Sequence, residues 1–110
     1  MIESKFIGTW TGLITQPGSA NSPYPTVITI ASGGRLAEVV GTSAYSTLDC
    51  KGDLTLDDST KTKIVVEEHI TDGPGCTPIV VITLTYRSGG TLYYSLEDNN
   101  SRAYGVLKKT

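Results

Sequence analysis

One carboxylate lies where the sequence predicts an apolar strand face. In "TKIVVEEHI", residues 62 to 70, alternation puts four residues on one side: Ile64, Val66, Glu68 and Ile70. Because a charge on an inward face is costly unless it is paired or hydrogen-bonded, we expect Glu68 to meet an Arg, a Tyr hydroxyl or water. Two interpretations stay open. Glu68 is either the polar anchor of a cavity, with Tyr45, Tyr94 and an Arg nearby, or a structural tie near the strand end.

The tyrosines are the second group that indicates binding. Tyr24, Tyr45, Tyr93 or Tyr94, and Tyr104 exceed what one small core needs, and several lie near loops rich in Pro and Gly. Exposed tyrosines form platforms for carbohydrate or protein partners, whereas inward ones line a barrel interior. Both alternatives stay open at this stage. The candidate binding residues are Trp10, Tyr24, Tyr45, Glu68 and Tyr94.

Other chemistries lack their residue patterns. The single histidine, His69, alternates with Glu67 onto the face expected to be outward, so it is predicted to be solvated and not a metal ligand. No Gly-x-Ser-x-Gly elbow is present, and the Gly33-Gly34 and Gly89-Gly90 pairs are interpreted as hairpin turns. We therefore predict no catalytic residue, no metal and no cofactor.

Eight short runs must position these side chains. They are rich in β-branched and aromatic residues and cover about 6–15, 26–31, 35–42, 50–57, 62–70, 79–86, 91–97 and 102–108. The joints Gly33-Gly34, "DDST" at 57–60, Gly89-Gly90 and "EDNN" at 97–100 have the length and composition of hairpin turns. Residues 1–110 are therefore predicted to form one all-β domain, an eight-stranded antiparallel meander barrel of the lipocalin type, with a two-sheet sandwich as the alternative.

The strand plan also decides how the two cysteines are used. Cys50 opens the fourth strand, and Cys76 follows the end of the fifth, which returns beside it through a hairpin. This brings the two thiols together at one end of the sheet, as a disulfide requires. The bond predicts an oxidising compartment, and since no secretory signal opens the chain, we expect the parent protein to carry one that this sequence lacks.

Composition excludes several classes of partner. The net charge is −2 and the nine Lys and Arg are scattered, apart from Lys108-Lys109, so no basic stripe exists to neutralise phosphates. Nucleic acid is therefore not an expected partner. The longest apolar stretch, at residues 79–82, is too short to cross a bilayer, and we expect no membrane insertion by this domain. Oligomeric state is not predicted.

The order of the segments resembles a known kind of domain. "VVGTSAYSTLDCKGDLTL" and "VVEEHITDGPGC" are the most specific blocks, and "FIGTWTGLITQ", "TLYYSL" and "AYGVLKK" follow the same order. Together they resemble small extracytoplasmic domains of actinobacteria, found at the outer C-terminal end of membrane-anchored serine/threonine protein kinases and in lipoproteins. Ser46 departs from the Pro usual in that family, and Tyr93-Tyr94 from its frequent Trp. The resemblance implies a disulfide-stapled sensory or binding module without catalytic residues.

A shorter match concerns the first strand. Gly8-Thr9-Trp10 resembles the Gly-x-Trp of lipocalins and avidins, which are barrels that hold ligands. The alternative is that Trp10 closes one end of a barrel core. The leading prediction is thus a non-catalytic extracytoplasmic binding or sensory domain, and the other is a small barrel enzyme, of cyclase or isomerase type, with a cavity around Glu68.

The disulfide end of the barrel is the predicted binding rim. It is expected to gather "TSAYSTLDC", "TDGPGC", "QPGSANSPYP" and the turn at Gly89-Gly90, with Tyr24 and Tyr45 as aromatic anchors. The partner is expected to be a small molecule, a glycan or a protein.

Overall fold

Eight strands make up most of the chain. The computed structural model describes residues 2–31, 34–98 and 101–110. Two short 3₁₀ turns, Ser4–Phe6 and Ser46–Leu48, precede the first and fourth strands. The strands are β1 (Gly8–Ile14), β2 (Tyr24–Ile30), β3 (Val39–Tyr45), β4 (Cys50–Ser59), β5 (Lys63–Asp72), β6 (Ile79–Arg87), β7 (Thr91–Asp98) and β8 (Ser101–Lys109).

The sheet closes on itself. Each strand pairs antiparallel with the next along the chain, and β8 returns to pair with β1, with Gly12 opposite Leu107. The predicted eight-stranded meander barrel is confirmed, and the sandwich alternative is wrong. Two glycines make the closing seam possible: a Cβ at Gly12 would overlap the Val106 carbonyl oxygen, and one at Gly105 would overlap that of Leu13.

Meander order divides the loops between two ends. The disulfide end contains the β1–β2, β3–β4 and β5–β6 connections and the turn from β7 to β8, whose residues 99 and 100 lie outside the described part. The Trp10 end contains the remaining three connections and the 3₁₀ turn before β1. The Gly89-Gly90 turn joins β6 to β7 and therefore belongs to the Trp10 end, so its predicted place on the disulfide rim is wrong.

Strand β3 begins later than predicted. It covers Val39–Tyr45 instead of about 35–42, because residues 35–38 form a turn in which the Glu38 amide donates to the Arg35 carbonyl oxygen at 3.2 Å. Within it Ala37 has φ of 70°, a left-handed conformation that interrupts a strand. The shift matters for the site because Tyr45 becomes a strand residue that points into the barrel. The Gly33 part of the predicted Gly33-Gly34 hairpin lies outside the described residues.

Alternation fills the barrel as expected. Trp10 and Ile14 of β1 and Ile64 and Val66 of β5 are all buried. At the Trp10 end, the indole Nε1 donates to the Phe6 carbonyl oxygen at 2.9 Å, and Tyr86 contacts the indole edge-on. Trp10 therefore closes this end of the core, which was one of its two predicted roles. Within the described chain, no helix is long and apolar enough to span a bilayer.

Candidate functional site

The disulfide end of the barrel contains a cavity of about 90 Å³. Exposed Thr77 and Ser101 form part of its wall, so the cavity reaches the surface. The other polar residues of the lining are Gln16, Tyr24, Tyr45, Glu68 and Tyr94. Its apolar lining includes Leu48, Ile70, Cys76, Val80, Leu96 and Ala103. The site is a concave surface that combines apolar side chains with several converging polar groups, as small-molecule sites do.

A chain of hydrogen bonds runs through the wall of this cavity. The Tyr45 hydroxyl donates to Glu68 Oε2 at 2.6 Å, and the Tyr45 and Tyr94 hydroxyl oxygens are 2.9 Å apart. Because a phenol has one hydrogen to donate, the Tyr94 hydroxyl must donate to Tyr45. The prediction that Glu68 points inward and has a hydrogen-bonding partner is confirmed: only 3% of the residue is exposed.

Neighbouring strands give Glu68 its place. In β5 it stands between Leu54 of β4 and Val80 of β6. Gly52 leaves room on the inner face of β4, since a Cβ there would come within 3.0 Å of Ser43 Oγ and 3.2 Å of Glu68 Cγ. Ser43 is buried, and its Oγ makes no well-formed hydrogen bond within the described part of the chain. It nevertheless lies close enough to the carboxyl to favour the charged form.

Burial dominates the acid–base properties of the site. Desolvation raises the pKa of Glu68, although the nearby Ser43 hydroxyl and the hydrogen bond from Tyr45 work in the opposite direction. Desolvation also raises the pKa of Tyr45 and of Tyr94, and the nearby Glu68 charge adds to both shifts. The two phenols therefore stay protonated and act as hydrogen-bonding groups.

Tyr24 completes an aromatic wall beside the carboxyl. Its hydroxyl donates to Gln16 Oε1 at 3.0 Å, and its ring meets that of Tyr45 at a centroid distance of 5.7 Å in an edge-to-face arrangement. Both residues are only 5% exposed. For these two residues the surface alternative is therefore wrong and the interior alternative is confirmed, because β2 and β3 direct both rings inward. Their role as anchors for a ligand stays a prediction.

Some residues that the sequence predicted for this site do not line the cavity. No arginine is among the described residues that line the cavity, so the expected Arg near Glu68 is wrong. Arg87 and Arg102 instead lie over the outward rings of Tyr93 and Tyr104. Trp10 is at the opposite end of the barrel. Sequence reasoning missed Gln16 and Leu48, which come from a loop and a 3₁₀ turn where alternation gives no direction.

The disulfide borders the cavity. Cys50 and Cys76 are bonded, with their Cα atoms 6.5 Å apart, as the hairpin argument predicted. Gly73 has φ of +121°, and a Cβ at this position would come within 2.7 Å of Cys50 Sγ. A disulfide favours an oxidising, extracytoplasmic environment. It also ties the β5–β6 loop, which contributes Cys76 and Thr77 to the cavity wall, to the start of β4.

His69 takes the outward position that was expected. Its Nε2 lies 2.7 Å from Glu67 Oε1, and both side chains are partly exposed. Among the described residues, no group of three or more His, Cys, Asp or Glu is arranged to hold a metal ion. Of these two adjacent glutamates, Glu68 is buried and Glu67 is partly exposed.

No known protein family matches this chain, and no curated protein is significantly similar to it. The resemblance to actinobacterial extracytoplasmic domains therefore stays a prediction.

The raised pKa of Glu68 predicts how stability depends on pH. When the solution pH is just above 4.5, the ordinary pKa of a glutamate, the folded protein retains a proton on Glu68 that the unfolded chain has released. This contribution to stability is complete at lower pH and is lost as pH rises through the folded-state pKa. Glu68→Gln should therefore gain stability relative to wild type, and the gain should grow as pH rises through this interval.

Urea unfolding of both proteins across this pH range measures the difference. Glu97→Gln removes an exposed carboxyl near the same end of the barrel and controls for the change in net charge. A stability difference between Glu68→Gln and wild type that shrinks with rising pH would contradict the assigned burial of the carboxyl.

Proposed function

We propose that this protein is an extracytoplasmic barrel that binds a small molecule in the cavity at its disulfide end. The observation that carries the proposal is the buried carboxyl of Glu68, which is hydrogen-bonded to Tyr45 in the wall of a cavity that reaches the surface. Filling this space with apolar side chains would make the barrel more stable. Retaining the carboxyl and the space together favours ligand binding.

The size of the cavity limits the ligand. A volume of about 90 Å³ is well below the roughly 300–1,000 Å³ of pockets that enclose drug-sized compounds. It suits a compound of a few non-hydrogen atoms, or one end of a longer molecule whose remainder extends past Thr77 and Ser101. A glycan platform would need exposed aromatic rings, whereas Tyr24, Tyr45 and Tyr94 are buried. A small molecule is therefore the favoured class of partner.

The disulfide supports an extracytoplasmic location for this activity. It restrains the β5–β6 loop at the cavity mouth, so less ordering entropy is lost when a ligand binds there. The resemblance to outer domains of membrane-anchored kinases is consistent with a sensory role, in which occupancy of the cavity is the signal. That role and the lineage are part of the proposal.

Catalysis at Glu68 is the other candidate function. The 2.6 Å hydrogen bond to Tyr45 and the raised pKa of the carboxyl are features of general acid–base sites. Burial, however, also raises the pKa of Tyr45 and of Tyr94, which makes either phenol a poor base near neutral pH. The site consequently lacks a second group that exchanges protons easily, and we favour binding.

Filling the cavity tests the proposal. Ala103 is buried, lies on β8 and lines the cavity, so Ala103→Leu should occupy much of its volume. Ala44→Leu makes the same change on the outward face of β3 and is the matched control. A mixture of compounds with three to six carbons, containing amines, alcohols and acids, is added to each protein, and amide chemical shifts are followed by NMR.

We expect shifts around Tyr45, Glu68 and Ala103 in wild type and in Ala44→Leu, and their loss in Ala103→Leu. The proposal fails if no compound shifts cavity residues in wild type. It also fails if Ala103→Leu folds normally and responds as strongly as wild type does.

A further inference from the structure

We propose that the cavity selects a small organic cation, and that an alkylammonium group of the ligand lies against the Glu68 carboxylate. This inference rests on the binding function proposed above and adds the chemical class of the ligand. Glu68 is a buried carboxyl that forms no ion pair among the described residues, and its hydrogen-bond partner Tyr45 is neutral, so its negative charge is not balanced.

The groups facing Glu68 from each neighbouring strand carry no positive charge. Strand β4 presents Leu54 and Gly52, and β6 presents Val80. Hydroxyl groups come from Ser43 and Tyr45 of β3 and from Tyr94 of β7, while Tyr24 of β2 lies beyond Tyr45. A buried carboxylate without a cation is costly. Because Glu68 has already lost water on folding, a ligand cation that pairs with it must overcome only its own loss of hydration.

The hydrogen-bonding capacity of the wall also suits an ammonium group. An ionised carboxylate offers about four acceptor positions, and Tyr45 occupies one of them through Oε2. An ammonium group has three donors and no acceptor, and hydrogen bonds between charged partners are about twice as strong as neutral ones. The phenol rings of Tyr24, Tyr45 and Tyr94 add aromatic surface, which attracts organic cations.

The distribution of charge along the barrel points the same way. Of the nine Lys and Arg, only Lys51 and Arg102 are at the disulfide end, while the others lie on strand ends and loops of the Trp10 end. Asp49, Asp72 and Glu97 are at the disulfide end, so with Glu68 the acidic groups outnumber the basic ones there. This asymmetry attracts cations to the mouth of the cavity and repels anions.

Three compounds of equal length separate ligand charge from ligand shape. These are n-butylammonium, 1-butanol and butyrate, each titrated near neutral pH and followed by NMR shifts of cavity residues. We expect n-butylammonium to bind at least about tenfold more tightly than 1-butanol, as a charge-assisted hydrogen bond in a buried site would give. Butyrate should bind least. This comparison uses the wild-type protein and so does not depend on whether a variant folds.

Two variants then assign the preference to one residue. Glu68→Gln keeps the shape of the side chain and removes its charge, so it should lose about tenfold or more in n-butylammonium affinity and keep 1-butanol affinity within about threefold. Glu67→Gln removes the adjacent carboxyl, which faces outward and contacts His69. It should bind all three compounds as wild type does.

The outcomes separate this inference from the binding function. If 1-butanol or butyrate binds as tightly as n-butylammonium, or if Glu68→Gln retains the preference, the ligand class is wrong while the cavity remains a binding site. If the larger mixture binds and n-butylammonium does not, the inference is likewise overturned. If nothing shifts the cavity residues, the binding function itself fails.

Discussion

A Cys50→Ser, Cys76→Ser double variant should be less stable than wild type by about 3.5 kcal/mol, which corresponds to a fall of about 15 °C in Tm for a domain of this length. The estimate follows from the separation of 26 residues between the bonded cysteines and the loop entropy that the bond removes from the unfolded chain. Strands β4 and β5 already pair beside the bond, so the barrel should still form without it.

Thermal unfolding followed by circular dichroism measures the effect, with and without reductant. Reduced wild type should match the double variant, and reductant should not change the variant. Thiol titration of unfolded, unreduced wild type should find almost no free thiol. Two free thiols per chain would contradict both the bond and the argument from it to an oxidising compartment.

Trp10→Ala should lower the free energy of unfolding by about 3–5 kcal/mol, the usual range for removing a large aromatic side chain from a core. Trp10 is 1% exposed, and its indole packs against Tyr86. The change also leaves the Phe6 carbonyl oxygen without the donor it has in the folded protein. Because domains are stable by about 5–15 kcal/mol in total, this variant should be close to unfolding.

Urea unfolding followed by circular dichroism is the appropriate measurement, since the variant lacks the only tryptophan. Leu13→Ala is the matched control: Leu13 is in the same strand but 57% exposed, and its loss should change stability by no more than about 0.5 kcal/mol. Trp10→Phe keeps an aromatic ring and remains measurable if the alanine variant does not fold. A Trp10→Phe protein as stable as wild type would contradict a closing role for the indole at this end of the barrel.

The fold was predictable because its signals are local. Alternation placed Trp10 and Ile64 inside, and short Gly- and Asn-containing joints predicted sequential antiparallel pairing, whereas closure into a barrel was preferred over a sandwich and is shown by the pairing of β8 with β1. The prediction was poorest at β3, where Leu36 and Val39 suit a strand but Ala37 adopts a left-handed conformation in a turn packed against β4. This turn depends on a tertiary hydrogen bond from the Ala37 amide to the Leu56 carbonyl oxygen, which no local sequence pattern predicts.

The candidate site was predictable only in part. The inward direction of Glu68 followed from alternation, because its strand neighbours Ile64 and Val66 require a core. The sequence did not indicate which way the tyrosine side chains point, since Tyr45 was expected in a loop and an aromatic ring suits a surface as well as an interior. Gln16 lies in a loop, where neither period nor propensity determines which way a side chain points.

By itself, the sequence determined the eight antiparallel strands in meander order, the pairing of Cys50 with Cys76 and the inward position of Glu68, because each depends on strand alternation and hairpin order. Only the tertiary structure decided that Tyr45 and Tyr94 meet across the barrel, although they are 49 residues apart in the chain, and that an open cavity remains beside them. Such contacts join strands that are not neighbours in the sheet, so they depend on barrel curvature and on the combined volume of side chains from every strand. Those quantities belong to the closed fold and have no counterpart in any short segment of the chain.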